Sequence, residues 1–466
     1  MSRQITRRHF LKTAGAAASA TLVGESLIGS TAAQAASSYV RRDIGLLATN
    51  DPIITSYRAA VKAMKALPAT DPRSWTYQAA IHGTTTTPVQ TAWKTCEHGT
   101  YYFWSWHRMY LYWFERIIRK LSNDSCWALP YWNWSAASER QLPAAFRDTA
   151  SEIYTSNRNS AMNSGAGSLP ASYVDYSSSF AAVSFASASS SLEGTPHGAV
   201  HVGVGGWMGS VPTAGQDPIF YLHHCNIDRL WNLWLAQGGG RSDPTGDSTW
   251  TGKKFTFFDE NGSSVQMTGC EVLRAAQQLN YVYEGEPTQV NQYCLKIKLP
   301  PFVIVRKELI HFPIPPIVLE SKPVSFPMEL KPLRQQLTAF ADSKTDTILL
   351  AFDAVETDRQ PGVVWEVYVG LPANTAADTK SPHYVGNIAL FGAGVRSDAH
   401  HEFKPARFDF PINRAIAPAL KGGQETVPVT LVPSGILVDG KPSRPKVESK
   451  VRIGRVSLVV ETQKRQ

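Results

Sequence analysis

The apolar positions of this chain recur with two different periods. Between residues 51 and 66, Ile53, Ile54, Tyr57, Ala60, Val61 and Met64 return every three or four positions, which predicts an amphipathic helix with one buried face. Asp51-Pro52 opens that helix with proline at the first helical position, and Leu67-Pro68 closes it. A second helix is expected from near Ser74 to His82, stopped by Gly83. The stretch Tyr101–Arg116 is apolar and aromatic on nearly every face, the pattern of a helix buried on all sides. Seven of the 13 Trp lie between Trp93 and Trp134, which places this segment at the centre of the fold. Residues 136–192, rich in Ser and Ala, predict irregular structure and short helices around that core.

Beyond the Gly238–Gly240 run the period shifts to two. Residues 254–283 read as short strands around the turn Asp259–Gly262. Residues 284–335 are rich in Pro, Lys and Val, as in a linker with extended segments. Ile348–Phe352, Val363–Val369, Tyr384–Phe391, Glu402–Phe410, Val427–Leu431 and Val451–Val460 then read as strands separated by polar turns, the pattern of a β-sandwich.

A chain of 466 residues exceeds one ordinary core, which predicts two folded parts. Of the formal charge of +8, +3 lies in residues 1–35 (Arg3, Arg7, Arg8 and Lys12 against Glu25), leaving +5. That balance is mild and has no basic stripe, so nucleic acid is not an expected partner. Arg7-Arg8 before a moderately apolar stretch that ends in Ala33-Gln34-Ala35 reads as a twin-arginine export signal with its cleavage site. The twin-arginine export machinery is therefore an expected partner, and the periplasm or the exterior the expected location. No run is built to span a membrane. Five cysteines without paired spacing do not describe a disulfide framework.

The histidines change the picture. His197 and His201 are i and i+4, one turn apart on a helical face, where two imidazoles can bind one metal ion. His224 follows an apolar run and has Asp228 at i+4, a carboxylate able to orient a ligating ring. His82, His98 and His107 form a second set, with His107 in the aromatic helix. Any one of them alone reads best as a satisfied core histidine. Two sets of three read as a paired metal site, because a buried imidazole holds a charge poorly and serves as a neutral ligand. All-imidazole sites suit copper, zinc or iron, whereas a di-iron bundle would carry carboxylates.

The residues then carry a family resemblance. Asp71–Trp75, Ile81-His82, His98 with His107 after eight intervening residues, and Leu129–Trp134 resemble the tyrosinase / polyphenol oxidase (catechol oxidase) family. Glu193-Gly-Thr-Pro-His197, His201, and Asp217 through His223-His224 to Asp228 and Trp231 match it again. The resemblance spans about residues 50–285. It implies a mainly α catalytic domain, a four-helix bundle holding a dicopper site, followed by an all-β C-terminal sandwich domain. His82, His98 and His107 would bind the first copper and His197, His201 and His224 the second, with O2 as co-substrate. His223 would be packed beside the site, and Asp228 would orient a ligand. The resemblance also implies a thioether between Cys96 and His98, against the plainer reading of a small buried thiol. Glu193 matches a position that holds a water and helps deprotonate a phenol; it reads equally as a carboxylate favoured by a helix N-terminus. Gly198, Val202 and Val211 would bear on substrate access: efficient monophenol hydroxylators carry Asn at the first, and plant members often carry a bulky Phe at the third.

The expected organisation is a signal peptide over 1–35, a catalytic domain over 36–285, a linker over 286–335 and a covering domain over 336–466. The function implied is an exported oxidase of small phenolic substrates, latent until an activating protease removes the cover. A strict catechol or o-aminophenol oxidase, or an oxygen carrier, are the alternatives. His400-His401 reads as a surface pair.

Overall fold

A computed structural model describes residues 39–286, 302–343, 345–392, 405–443, 447 and 449–465. The export signal, residues 287–301 of the expected linker and His400-His401 lie outside the described residues. From Ser38 onward the chain forms one compact unit.

Its first part is helical. Helix α1 (Pro52–Ala66) starts where Asp51 accepts a hydrogen bond from the Ile53 N–H, and it buries Ile54, Tyr57, Ala60, Val61 and Met64. Helix α2 (Trp75–His82) is capped by the Ser74 side chain accepting from the Tyr77 N–H, and ends at Gly83. Helix α3 (Phe103–Ser122) is buried at every position from Phe103 to Leu111, then becomes one-sided. Asn123 ends it in the left-handed region at φ 56°. Helix α4 (Phe185–Leu192) runs into an irregular segment, Glu193–Gly198, in which Thr195 is extended; helix α5 (Ala199–Val204) follows. Helix α6 (Ile219–Ala236) is buried from Ile219 to Asp228. No described helix is long and apolar enough to cross a membrane.

Strand β1 (Tyr39–Arg41) pairs in parallel with β5 (Tyr281–Tyr283), so the two ends of the helical part meet. Between them, β3 (Lys254–Phe258) and β4 (Ser264–Thr268) make the predicted hairpin, with Gly262 at φ +82°. The registered strands carry Arg41 into a buried network. Arg41 binds Glu115 of α3 and Asp228 of α6, and Tyr281 and Tyr283 both donate to Asp228.

The second part is β-rich: two antiparallel sheets enclose a common apolar core. One has the order β11 (Tyr384–Ala389), β10 (Val364–Val369), β13 (Thr426–Ser434), β8 (Val324–Glu329). The other runs β12 (Ala406–Pro411), β9 (Asp346–Thr357), β16 (Val451–Arg465), β6 (Phe302–His311), with β7 (Ile317–Leu319) also on β16. The strands therefore begin at Phe302 and not after residue 335. Residues 302–329 resemble a linker because β6 and β8 are edge strands, where Lys and Pro are tolerated.

Two features fasten this cover to the helical part. Strand β14 (Leu437–Val438) pairs with β2 (Gly167–Ser168) of the helical part. Val364, Ala389 and Ile436 belong to the same apolar cluster as the tryptophans around α3.

Candidate metal centre

The histidines come from four helices, one loop and one irregular segment. His82 ends α2, His98 lies in a loop, His107 is on α3, His197 is in the irregular segment, His201 is on α5, and His223 and His224 are on α6. His82, His98 and His107 have ring centroids 5.1–5.8 Å apart. His197, His201 and His224 lie 4.6–5.5 Å apart. The sets face each other: the His107 and His224 rings stack at 4.3 Å, and His98 and His197 at 5.7 Å. The two sequence triplets thus converge on one place.

Hydrogen bonds prepare the rings as ligands. A carbonyl only accepts, so a ring nitrogen beside one carries the proton and the other keeps its lone pair. His82 Nδ1 faces the Val211 carbonyl at 3.1 Å, His107 Nδ1 that of Phe103 at 2.8 Å, His197 Nδ1 that of Glu193 at 2.9 Å, and His201 Nδ1 that of Met208 at 2.7 Å. The Nε2 atoms of His82, His107 and His197 are buried without a hydrogen-bond partner, as donors awaiting a metal would be. Burial, reinforced by the neighbouring imidazoles, pushes all four rings and His224 well below the ordinary imidazole pKa. Neutral rings are the ones that can ligate. The contact to His82 depends on Gly83, because a Cβ there would meet the Val211 oxygen at 2.6 Å.

The family comparisons agree with this geometry. The model of the common central domain of tyrosinase matches residues 72–185 and 145–237, and that of the polyphenol oxidase middle domain residues 245–293. A tyrosinase, HcTyr1, from Hahella sp. is 29% identical over 468 residues, covering 88% of this chain and 97% of that protein. The chain belongs to the tyrosinase / polyphenol oxidase family. A latent-form polyphenol oxidase of Prunus armeniaca is 32% identical over 286 residues, but the match covers only 47% of that protein. In fold, latent apple tyrosinase matches with a TM-score of 0.64 at 23% identity, covering 92% of this chain and 98% of that one. A latent aurone synthase matches at 0.65 and 21%, covering 92% and 90%. Residues 317–461 match a domain of unknown function, and residues 4–24 a twin-arginine signal, so the protein is exported to the periplasm or beyond. As in the family at large, the cofactors are two copper ions and the co-substrate is O2, and the buried imidazole clusters suit that metal pair.

Around the tyrosinase-type centre, several residues take places that the sequence alone did not show. The hydrogen bonds of the Asp228 carboxylate go to arginines and tyrosines and not to a histidine. At i+4 from His224 this carboxylate points the other way, into the network of Arg41, Arg108, Tyr281 and Tyr283. Burial alone would push that carboxyl up, but Arg108 and Arg41 outweigh it and hold it below its usual range. Arg229 is structural, stacking on Tyr131 and pairing with Glu286. Cys225 is a packed thiol that burial pushes up to about 12. Glu193 stands at the junction where α4 ends and the segment Glu193–Gly198 begins. Its Oε1 accepts from the Gly99 N–H at 2.6 Å, and burial pushes its carboxyl up to about 8. Cys96 Sγ lies 3.3 Å from His98 Nδ1. Cys270 is disulfide-bonded, which the cysteine spacing did not suggest.

The mouth is filled from the cover. Phe391, just past β11, stacks on His201 with centroids 3.8 Å apart and planes 10° apart. It meets His98 and His197 edge-on at 5.8 and 5.4 Å. A Cβ on Gly198 would lie 3.4 Å from the Phe391 Cβ, and one on Gly392 would lie 3.0 Å from Val211 Cγ2. Gly198 and Val211 thus sit at the rim beneath this plug, whereas Val202 is buried in the core. Sequence reasoning had no signal for Phe391: it is one aromatic among many, about 190 residues from His201 in the chain.

Proposed function

We propose that the protein oxidises o-diphenols to o-quinones with O2, hydroxylates monophenols more slowly, and is latent while its cover is in place. In this reading His82, His98 and His107 hold one copper, and His197, His201 and His224 the other. The four histidine-bearing helices α2, α3, α5 and α6 are the family's bundle. The observation that carries the reading is the facing of the two triplets, with the Nδ1 atoms of four rings engaged by backbone carbonyls.

A copper pair held there supplies the redox chemistry: two diphenols give up four electrons and four protons, and one O2 becomes two waters. The chain's own residues do the rest. Phe391 occupies the place a substrate ring would take, stacked on His201, and that face of the imidazole becomes the platform for a phenol once the plug leaves. Glu193, tied by Gly99 to the loop of His98 and by its carbonyl to His197, holds a water and, in its ionised form, accepts the phenol proton. Cys96 Sγ is close enough to His98 for a thioether that would fix the ring.

Gly198 favours a second reading, an enzyme restricted to o-diphenols or o-aminophenols, because it places no polar side chain at the mouth. Oxygen uptake on tyrosine, catechol and o-aminophenol separates the readings, using copper-loaded protein with and without the cover. Absence of uptake with any catechol after removal of residues from Phe302 onward would overturn both.

A further inference from the structure

Four imidazoles, not three, surround the second metal position. One ligand atom each from His197, His201, His223 and His224 lies within 4.8 Å of the others, and all four residues are buried. His223 packs flat against His197 at 5.5 Å and edge-on to His201 at 4.7 Å. Four histidine ligands would close the coordination sphere, whereas a catalytic metal keeps a position open for its reactants. Something must keep one ring out.

The hydrogen bonds single out His223. The rings of His197 and His201 have Nδ1 against a carbonyl, which accepts. His223 has Nδ1 against the indole N–H of Trp134 at 3.1 Å. An indole only donates, so Nδ1 must be the acceptor. A neutral imidazole with a lone pair on Nδ1 carries its proton on Nε2 and has no lone pair there to offer a metal. The same contact requires a neutral ring, because an imidazolium has no lone pair with which to accept the indole N–H. His223 Nε2 is buried without a hydrogen-bond partner.

We propose that Trp134 is a positioning residue that withholds His223 from the second metal by fixing its Nε2-protonated tautomer. The site thereby keeps three ligating imidazoles and an open coordination position. This inference rests on the ligand assignment above, and it explains why His223 does not ligate. The residue that enforces it lies outside the metal cluster, three positions after Tyr131, which bridges Asp43.

Two-bond proton–nitrogen correlation spectra of the zinc-loaded full-length protein read each ring directly, with His223 assigned by the signals lost in His223→Gln. The expected result is a proton on Nε2 of His223 and on Nδ1 of His197 and His201. A His223 ring protonated at Nδ1, or bound to zinc, overturns the proposal. Trp134→Phe keeps the packing and removes the donor. In its cobalt-loaded form the visible d–d absorption should fall severalfold as His223 joins the metal, and Trp134→Phe/His223→Phe should restore the original spectrum. An unchanged single variant, or a double variant as altered as the single, overturns it. If Trp134→Phe does not fold, the tautomer in the unsubstituted protein decides alone. Metal content separates the two levels: a chain that takes up fewer than two ions refutes the dicopper reading, while two ions with the wrong His223 tautomer refute only this inference.

Discussion

Replacing Phe391 with alanine should open the site without shedding the cover. The ring stacks on His201 at 3.8 Å and touches His98 and His197 edge-on. Its removal takes away about 2 kcal/mol of apolar burial and about 1 kcal/mol of aromatic pairing. The closed site then loses about 3 kcal/mol, on the order of a hundredfold in favour of a bound substrate ring. The space left is that of one phenyl ring, which is the reacting part of a catechol. The cover stays attached, because β14 still pairs with β2 and Val364, Ala389 and Ile436 still sit in the tryptophan-rich core. The assay is the initial rate of oxygen uptake on a small catechol by copper-loaded, full-length protein, with copper content and melting temperature as controls. Phe391→Ala should be active at tens to hundreds of times the unsubstituted rate, on the energetic estimate above. Phe391→Leu should fall between. A Phe391→Ala protein with both coppers, an intact cover and undiminished latency would refute the reasoning and place the obstruction in the cover's backbone.

Three further outcomes follow from the same geometry. His107→Ala and His201→Ala should each lose one of the two coppers, measured by metal analysis, since each removes a ring from a different triplet. The tryptic peptide holding Cys96 and His98 should be lighter by two hydrogens and resist alkylation; a freely alkylated Cys96 excludes the thioether. Asp228→Asn should destabilise the protein by about 3–5 kcal/mol at neutral pH, because it leaves buried Arg108 without its carboxylate and buried Arg41 with Glu115 alone. Asp228 is held below its usual range, so its stabilising contribution is complete above the unfolded value of ~3.9 and is lost as pH falls through the folded one. The gap between variant and unsubstituted protein in urea denaturation should accordingly close in acid, and a gap independent of pH would refute the assignment.

Much of this protein is written in local pattern. The three- and four-residue spacing of Ile53 through Met64 and the caps Asp51 and Ser74 specify α1 and α2, because a helix needs only its own face and its own ends. The continuous apolar run Ile348–Phe352, buried at every position, and the apolar residues of Val451–Val460 likewise announce β9 and β16. The histidine triplets were visible as ligand types within long ordered motifs, with His197 and His201 at helical spacing.

What the tertiary structure decided is which way each group turns and what meets it. Asp228 and His224 share a helix face on paper, yet the carboxylate goes to two arginines brought by β1 and α3, where two charges outbid one imidazole. Pro and Lys in residues 302–329 suggest a linker until β16 and β13 supply partners that turn those residues into sheet edges. The adjacent histidines 223 and 224 are the same residue type on the same helix. Only the indole of Trp134, placed by the packing of the core, sets them apart, because a proton's position on an imidazole depends on what faces each nitrogen and not on the chain that carries it.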